Sequence, residues 1–133
     1  MAAFLSPKVR NLFEGKNLAH IATLMPDGSP HVTVVWIDIE GDRILFNTAE
    51  GRVKPRNLRR DPRVAISIVD SNNPYAEASI RGRVIEITAQ GADEHIDKLA
   101  KKYLGQDTYP MRRSDETRLI VVIEPEHVSP QRP

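Results

Sequence analysis

The sequence predicts a mainly β protein of the α+β class, in which six antiparallel strands form a closed or split barrel with peripheral helices. Three observations favour this architecture. Apolar runs rich in β-branched residues recur along the chain, tight turns separate the first three runs, and these turns are too short for the crossovers that parallel strands require. The 133 residues fit one domain, so we expect a single barrel spanning residues 1–133.

Composition limits the classes of function that the chain can have. Apolar residues make up 40% and charged residues 28% of the chain, which is ordinary for a folded domain. The absence of cysteine excludes disulfides, thiolate metal sites and cysteine nucleophiles. A net charge of only +1 argues against a dedicated nucleic-acid binder. With no apolar stretch that could span a bilayer and no signal-peptide pattern, we expect no membrane partner and a cytoplasmic location.

The amino-terminal third predicts a helix followed by a three-stranded meander. Ser6-Pro7 combines an N-cap residue with proline at the first helical position, and Gly15 ends the pattern, so we expect a helix from Pro7 to Glu14. Asp27-Gly28 and Glu40-Gly41 mark tight turns between apolar runs. The predicted strands are Leu18 to Leu24, His31 to Ile39 and Arg43 to Asn47.

The rest of the chain predicts three more strands and two more helical segments. At Gly82 the phase of the apolar residues changes within a long strand, which indicates a bulge. An apolar stripe from Ile96 to Leu104 indicates an amphipathic helix, with Gly105 as its C-cap. We expect order to end at Pro125, before a tail that reaches Pro133. The predicted elements are helical turns from Lys54 to Arg60, strands from Val64 to Val69, Tyr75 to Thr88 and Arg118 to Glu124, a helix from Ala92 to Leu104, and loops from Asp70 to Pro74 and Gln106 to Glu116.

The segment from Asn47 to Arg63 concentrates positive charge between two apolar runs. Its first three basic residues alternate, so an extended loop would direct them to one side. Its last four are spaced for one face of a short helix. Such a cluster, beside a glycine that lets the backbone approach closely, suits an anion such as phosphate, and a solvated basic surface is the simpler alternative. In chain order these residues are Arg52, Lys54, Arg56, Arg59, Arg60 and Arg63.

No set of side chains points to catalysis by the protein alone. The four histidines lack close metal-ligand spacing, so we expect no metal site. We expect His20 in the core or an interface, His31 in a structural role or facing a ligand, and His95 on a helix surface. Nucleophile-elbow, Walker and dinucleotide patterns are absent, and no carboxylate pair stands out. We therefore predict no catalytic residue; an enzyme with this sequence needs a bound cofactor to supply the reactive atom.

Four segments together resemble the pyridoxamine 5′-phosphate oxidase-like proteins, whose fold is an FMN-binding-like split β-barrel. The arginine segment from Lys54 to Val64 is especially similar to the branch that uses the deazaflavin coenzyme F-420 instead of FMN. The resemblance covers nearly the whole chain. Its segments are Thr23 to Trp36, Asn47 to Val64, Tyr109 to Arg113 and Val121 to Val128.

This resemblance implies a homodimer with two cofactor sites at the subunit interface. The cofactor ring would lie against the second and third strands, and the basic segment would grip its phosphate, with Asn57 supporting that segment. Residues of the partner subunit, around Tyr75 or from Tyr109 to Arg112, would close each site. The implied cofactor-binding residues are Thr33, Val34 and Val35 along the ring, Asn47, Thr48 and Ala49 nearby, and Arg52, Lys54 and Arg56 at the phosphate.

The expected function is a coenzyme F-420-dependent oxidoreductase that transfers a hydride from the reduced cofactor to a small organic acceptor. Two alternatives stay open: an FMN-dependent oxidase or reductase of the same fold, and a non-catalytic protein that binds a cofactor, haem or anionic metabolite. Nucleic-acid binding is less favoured, because Trp36 and few other aromatic residues give little surface for base stacking. Acceptor specificity is expected in the two predicted loops, Asp70 to Pro74 and Gln106 to Glu116.

Overall fold

The computed structural model describes residues 3–130, which form one antiparallel sheet and three helices. Residues 1, 2 and 131–133 lie outside this part, and with them the predicted tail end at Pro133. None of the described helices is long and apolar enough to cross a membrane. The helices are α1 (Pro7–Glu14), α2 (Val53–Arg60) and α3 (Ala92–Leu104), and the strands are β1 (Ala19–Leu24), β2 (Pro30–Val35), β3 (Ile37–Glu40), β4 (Arg43–Ala49), β5 (Arg63–Asp70), β6 (Asn73–Thr88) and β7 (Arg118–Ser129).

The strands follow the order β2-β1-β5-β6-β7-β4-β3, and every neighbouring pair is antiparallel. The two edge strands, β2 and β3, are consecutive in the chain and are separated only by Trp36. The chain therefore passes from one edge of the sheet to the other at this residue. The result is a curled sheet, a barrel split beside Trp36, which confirms the predicted mainly β class with peripheral helices.

The predicted number of six strands is wrong, because the strand expected from His31 to Ile39 divides at Trp36. Its first half pairs with β1, where Val35 lies opposite Ala19. Its second half pairs with β4, where Ile37 lies opposite Phe46. The partners β1 and β4 lie next to opposite edges of the sheet, so the ladder must break between the two halves.

The predicted helices α1 and α3 are confirmed with the expected bounds. Ser6 caps α1, since its Oγ accepts a hydrogen bond from the Val9 N–H at 3.4 Å. Gly105 ends α3 in the left-handed region at φ 72°, which favours glycine. The predicted end of the last strand is wrong, because β7 continues through Pro125 to Ser129.

Proline is accommodated within β7 because the pairing with β6 is irregular there. Pro125 lies opposite Gly82, and the register shifts between Arg81 and Gly82 and again after Val84. A proline lacks the N–H that a regular ladder needs and is tolerated at such bulges. The bulge predicted at Gly82 is thus confirmed, and a Cβ there would lie only 2.4 Å from the Glu124 carbonyl oxygen.

Two apolar clusters hold the barrel and its helices together. The main cluster packs Val9, Leu12 and Phe13 of α1 against the inner residues of the strands. The second cluster joins α3 to the split. Its buried members are Ile96, Leu99 and Tyr103, and Trp36 and Tyr109 pack against them. The predicted stripe on α3 is therefore largely buried, although Leu104 at its end is exposed.

Candidate functional site

A cavity of about 380 Å³ opens beside Trp36, where the barrel is split. Its walls come from the end of β2, the middle of β4, α3, the start of β7 and the segment that connects α3 to β7. Apolar side chains form most of the wall, and cations of the basic segment stand at one side. The lining residues are Leu18, Val34, Val35, Trp36, Asn47, Thr48, Arg52, Lys54, Ile96, Leu99, Tyr109, Met111 and Arg118.

Two tyrosines hold Trp36 in the apolar part of the wall. The Trp36 ring stacks on Tyr103, with centroids 5.5 Å apart and planes 7° apart, and meets Tyr109 edge-on at 6.1 Å. The Tyr103 hydroxyl donates to the Asn17 carbonyl at 2.6 Å and accepts from the Ile37 N–H at 3.1 Å. Burial raises the pKa of Tyr103, which keeps the hydroxyl protonated as a donor. This support makes the wall rigid and suits it to a flat apolar ring.

Lys54 and Arg52 bring positive charge to another side of the cavity. Lys54 Nζ donates a hydrogen bond to Thr33 Oγ1 at 3.0 Å, which ties α2 to the edge strand β2. Burial, and to a smaller extent repulsion from Arg52, lowers the pKa of Lys54. Arg52 Nη2 pairs with Glu116 Oε2 at 3.1 Å. Because the hydrogen bond described for the half-buried Lys54 goes to a neutral hydroxyl, a nearby anion would stabilise its charged form.

The amino end of α2 is arranged to receive an anion. Arg52 is the N-cap residue, but its side chain makes no capping hydrogen bond. The first turn contains Lys54 and Arg56 and no acidic residue. Cations at this position oppose the helix dipole, and the first N–H groups of a helix have no partner within it. Pro55 has no N–H, and the Arg52 N–H donates to the Ala49 carbonyl at 3.3 Å. A phosphate bound here would therefore accept hydrogen bonds from the Val53 and Lys54 N–H groups and offset the repulsion among the cations.

Two polar residues of β4 differ in how their side chains are used. Asn47 Nδ2 donates to the Ala92 carbonyl at 2.9 Å, and Asn47 Oδ1 accepts from Arg118 Nε at 2.8 Å. Thr48 is 1% exposed, and its Oγ1 has no hydrogen-bond partner among residues 3–130. An unpaired buried hydroxyl costs about 1–3 kcal/mol. Thr48 therefore carries a buried hydroxyl beside the cavity that has no described partner.

A buried polar cluster lies directly behind Asn47. His95 Nε2 lies 3.1 Å from Asp38 Oδ2, and His95 Nδ1 lies 3.1 Å from Asn47 Nδ2. Lys98 Nζ donates to the same oxygen of Asp38 at 3.1 Å. Burial alone would raise the pKa of Asp38, but these bonds outweigh it and hold that pKa at about 2. In the described part of the chain, no group of three or more His, Asp or Glu residues is placed to hold a metal ion.

The prediction that His95 lies on the surface is wrong. This residue is only 7% exposed, because α3 directs it toward Asp38 of β3 and Asn47 of β4. His20, expected in the core or an interface, is exposed on β1. His31 is half-buried, and its Nδ1 has no hydrogen-bond partner in the described structure.

The structure brings six of the nine predicted cofactor-binding residues to the cavity. Of the other three, Thr33 contacts Lys54, Ala49 is buried in the core, and Arg56 is exposed and does not line the cavity. The six lining residues are Val34, Val35, Asn47, Thr48, Arg52 and Lys54.

The helical turns predicted from Lys54 to Arg60 are confirmed, because α2 runs from Val53 to Arg60. The three alternating basic residues therefore do not share one extended loop, since Arg52 precedes α2 and Lys54 and Arg56 lie within it. Two residues apart on a helix, these last two side chains do not point the same way. The expected helical face of four arginines also ends early, since Arg63 belongs to β5. Asn57 supports the segment as expected, because its Nδ2 donates to Thr23 Oγ1 at 3.0 Å.

Several lining residues were not predicted for this chain's own site. Tyr109 and Met111, expected to close the partner's site, line the cavity of their own subunit. Tyr75 borders a different cavity, of about 450 Å³, between α1 and β6. Arg118 is a buried cation of the wall, with its side chain 6% exposed, 2.8 Å from Glu116. The available signal for it was a charged residue at the start of an otherwise apolar strand.

Comparison with known proteins identifies the family. The family model described as pyridoxamine 5′-phosphate oxidase matches residues 5–132, so the chain belongs to this family. Among solved structures, it is similar to an F-420 reductase, with 33% identity and a TM-score of 0.81 over 90% of this chain and 94% of that one.

Two further solved structures share the fold at lower identity. A conserved hypothetical protein from Mycobacterium tuberculosis is 23% identical, with a TM-score of 0.71 over 96% of this chain and 84% of its own. General stress protein 26 from Bacillus anthracis is 15% identical, with a TM-score of 0.66 over 91% and 88% of the two chains. At these identities the likeness supports the fold alone.

Proposed function

We propose that this protein is an oxidoreductase that binds coenzyme F-420 in the cavity beside Trp36. The observation that carries the proposal is the meeting of a rigid apolar wall with an uncapped, cationic helix end. The phosphate would lie at the start of α2 with Arg52 and Lys54, and the ring would lie against Val34, Val35 and Trp36. The proposed set also keeps Thr33, Asn47, Thr48, Ala49 and Arg56 from the sequence prediction.

The residues present fit such a cofactor. Lys54 is half-buried beside a neutral hydroxyl, and Thr48 Oγ1 is a buried polar atom without a described partner. When bound, the reduced deazaflavin would supply a hydride to a small organic acceptor. The chain's part is then to orient the ring on the Val34–Trp36 wall, to exclude water there, and to neutralise the phosphate. The 33% identity to an F-420 reductase supports this choice of cofactor.

FMN is the second candidate, because the family is named for an oxidase and a single phosphate would suit the same helix end. A non-catalytic cofactor-binding protein of the same fold is the third. The three proposals differ in what they predict for isolated protein. Flavin-dependent chemistry needs FMN affinity, deazaflavin chemistry needs F-420 affinity, and a binding protein retains affinity without turnover.

A homodimer is part of the proposal. Val32 and Val34 are 58% and 51% exposed on the edge strand β2, and Leu18 before β1 is 49% exposed. Val34 lies beside the cavity, so a second copy packed on this face would bury apolar surface and cover the site. Sedimentation at micromolar concentration tests this: a monomer at all concentrations would contradict it. The expected cytoplasmic location stays a prediction.

The cofactor is tested by titrating the protein with coenzyme F-420 and with FMN in parallel, by calorimetry. We expect saturable F-420 binding and weaker FMN binding. Lys54→Ala should weaken F-420 binding about 10- to 100-fold, because a hydrogen bond to a charged group contributes about 1.5–3 kcal/mol. Lys101→Ala is the matched control, since Lys101 is exposed and pairs with Asp107 away from the cavity.

Each outcome assigns the protein to one proposal. Equal F-420 affinity in the Lys54 and Lys101 variants would show that the phosphate does not bind at the start of α2. Preference for FMN would move the protein to the flavin branch. If F-420 binds, loss of its reduced form in the presence of a panel of electron-poor acceptors is measured next. Tight binding without turnover across the panel would favour the non-catalytic alternative.

A further inference from the structure

His95 stands at the centre of a chain of hydrogen bonds that ends at the cavity. Asp38 Oδ2 lies 3.1 Å from His95 Nε2, and His95 Nδ1 lies 3.1 Å from Asn47 Nδ2. Asn47 Oδ1 accepts from Arg118 Nε at 2.8 Å. Arg118 lines the cavity, and its guanidinium lies 5.3 Å from the centre of the Tyr109 ring. The chain thus joins a buried carboxylate to a cation in the cavity wall.

The partners of Asn47 fix the tautomer of His95. The Arg118 side chain can only donate, so the side-chain oxygen of Asn47 must face it. The Ala92 carbonyl can only accept, so the side-chain nitrogen of Asn47 must face that carbonyl. The second hydrogen of this nitrogen is then available to His95 Nδ1, which must act as acceptor. Neutral His95 therefore carries its hydrogen on Nε2 and donates it to Asp38. A second proton on His95 would lie on Nδ1, where its N–H would face the N–H of Asn47 Nδ2 and no hydrogen bond could form.

Charged groups from three elements face this imidazole. Asp38 of β3 is in direct contact with it, with Oδ2 3.1 Å from His95 Nε2. Lys98 of α3 binds the same carboxylate oxygen of Asp38 at 3.1 Å, and Lys102 of α3 interacts with the charges of Asp38 and Lys98. Arg118 of β7 adds a further cation on the far side of Asn47.

We propose that neutral His95 is a positioning residue for the cavity. Through Asn47 it holds Arg118 in the wall, and a second proton on His95 breaks the contact with Asn47 and weakens ligand binding. The ligand in this statement rests on the proposed function, whereas the chain of hydrogen bonds is present without it. Arg118 has only Glu116 as its described carboxylate partner, so loss of Asn47 would leave the buried Arg118 Nε without an acceptor.

The first experiment measures the tautomer by nitrogen-15 NMR in the ligand-free protein. The pH is lowered from about 8 to about 5, the range in which histidines commonly titrate. We expect the Nε2–H tautomer of His95 at the upper end, and an Arg118 Nε–H signal that shifts together with the His95 titration. An Nδ1–H tautomer, or an Arg118 signal that does not follow His95, would overturn the proposal.

The second experiment separates the two hydrogen bonds of His95 by substitution. An asparagine amide reaches the place of Nδ1, toward Asn47, whereas a glutamine amide reaches the place of Nε2, toward Asp38. We expect His95→Asn to keep the F-420 affinity within about twofold and His95→Gln to weaken it about tenfold. We expect the affinity of the unsubstituted protein to fall on acidification, and we expect both variants to lack this fall. His127→Asn, at an exposed position of β7, is the matched control.

The two experiments distinguish this inference from the proposed function. Equal F-420 affinity in the two His95 variants, or an acid-dependent fall that survives in both, would contradict the positioning role. If F-420 fails to bind the unsubstituted protein, the proposed cofactor is wrong. The joint pH dependence of the His95 and Arg118 NMR signals then tests the positioning role without any ligand.

Discussion

Replacing Asp38 with asparagine is expected to remove a pH-dependent part of the stability. The pKa of Asp38 is about 2 in the folded protein against an ordinary 3.8. Burial raises this pKa, but hydrogen bonds from His95 and Lys98 and from the Ile39 N–H lower it further than burial raises it. The folded state therefore binds this proton less readily than the unfolded chain. At about 1.4 kcal/mol per pKa unit, the carboxylate contributes on the order of 2 kcal/mol.

The sign of the effect follows from this depressed pKa. The contribution is fully present above about pH 4 and is lost as the pH falls toward about 2. Urea denaturation of the protein and of Asp38→Asn across pH 2 to 7 should therefore give free energies of unfolding whose difference shrinks by about 2 kcal/mol on acidification.

Asp61→Asn is the matched control, because Asp61 also has a pKa of about 2, but in an ion pair with Arg63 at the protein surface. Salt at about 1 M screens surface pairs strongly and buried pairs much less. In this salt, the pH-dependent difference in the free energy of unfolding should disappear for Asp61→Asn and persist for Asp38→Asn. A difference for Asp38→Asn that does not depend on pH, or that salt abolishes, would refute the reasoning.

Two further substitutions test features of the sheet. Gly82→Ala should lower the free energy of unfolding by about 1–3 kcal/mol in urea denaturation, because the added Cβ would lie 2.4 Å from the Glu124 carbonyl oxygen. Ser79→Ala, at an exposed position of the same strand, is the control. Equal stabilities of the two variants would show that the backbone at the bulge shifts without cost. Thr48→Val should stabilise the ligand-free protein by about 1 kcal/mol while weakening F-420 binding, because it removes a buried hydroxyl without a described partner. Melting curves with and without F-420 measure both effects, and unchanged affinity would remove Thr48 from the proposed site.

Local signals in the sequence were sufficient for the helix ends and the turns. Ser6-Pro7 and Gly105 act through their own backbone and near neighbours, so the bounds of α1 and α3 could be read directly. The break at Trp36 could not, since nothing in the run of β-branched residues around it shows that β2 and β3 pair at opposite ends of the sheet.

The candidate site shows the same division. Lys54 and Arg52 were predicted because clustered charge is visible along the chain, and helical turns were predicted from Lys54 onward. His95 and Arg118 were missed because their partners are distant in sequence: 57 residues separate His95 from Asp38, and 71 separate Arg118 from Asn47. A charged residue at a helix or strand position reads as solvent-exposed until the packing of the other elements is known.

Trp36 is the single tryptophan of the chain, and it stands in the cavity wall between the two halves of a divided strand. All tryptophan emission from the protein therefore originates at the candidate site. A flavin or deazaflavin ring held against this wall would take up that emission by energy transfer. Arrival, exchange and departure of a ligand could then be followed optically, in the unmodified protein and without a label.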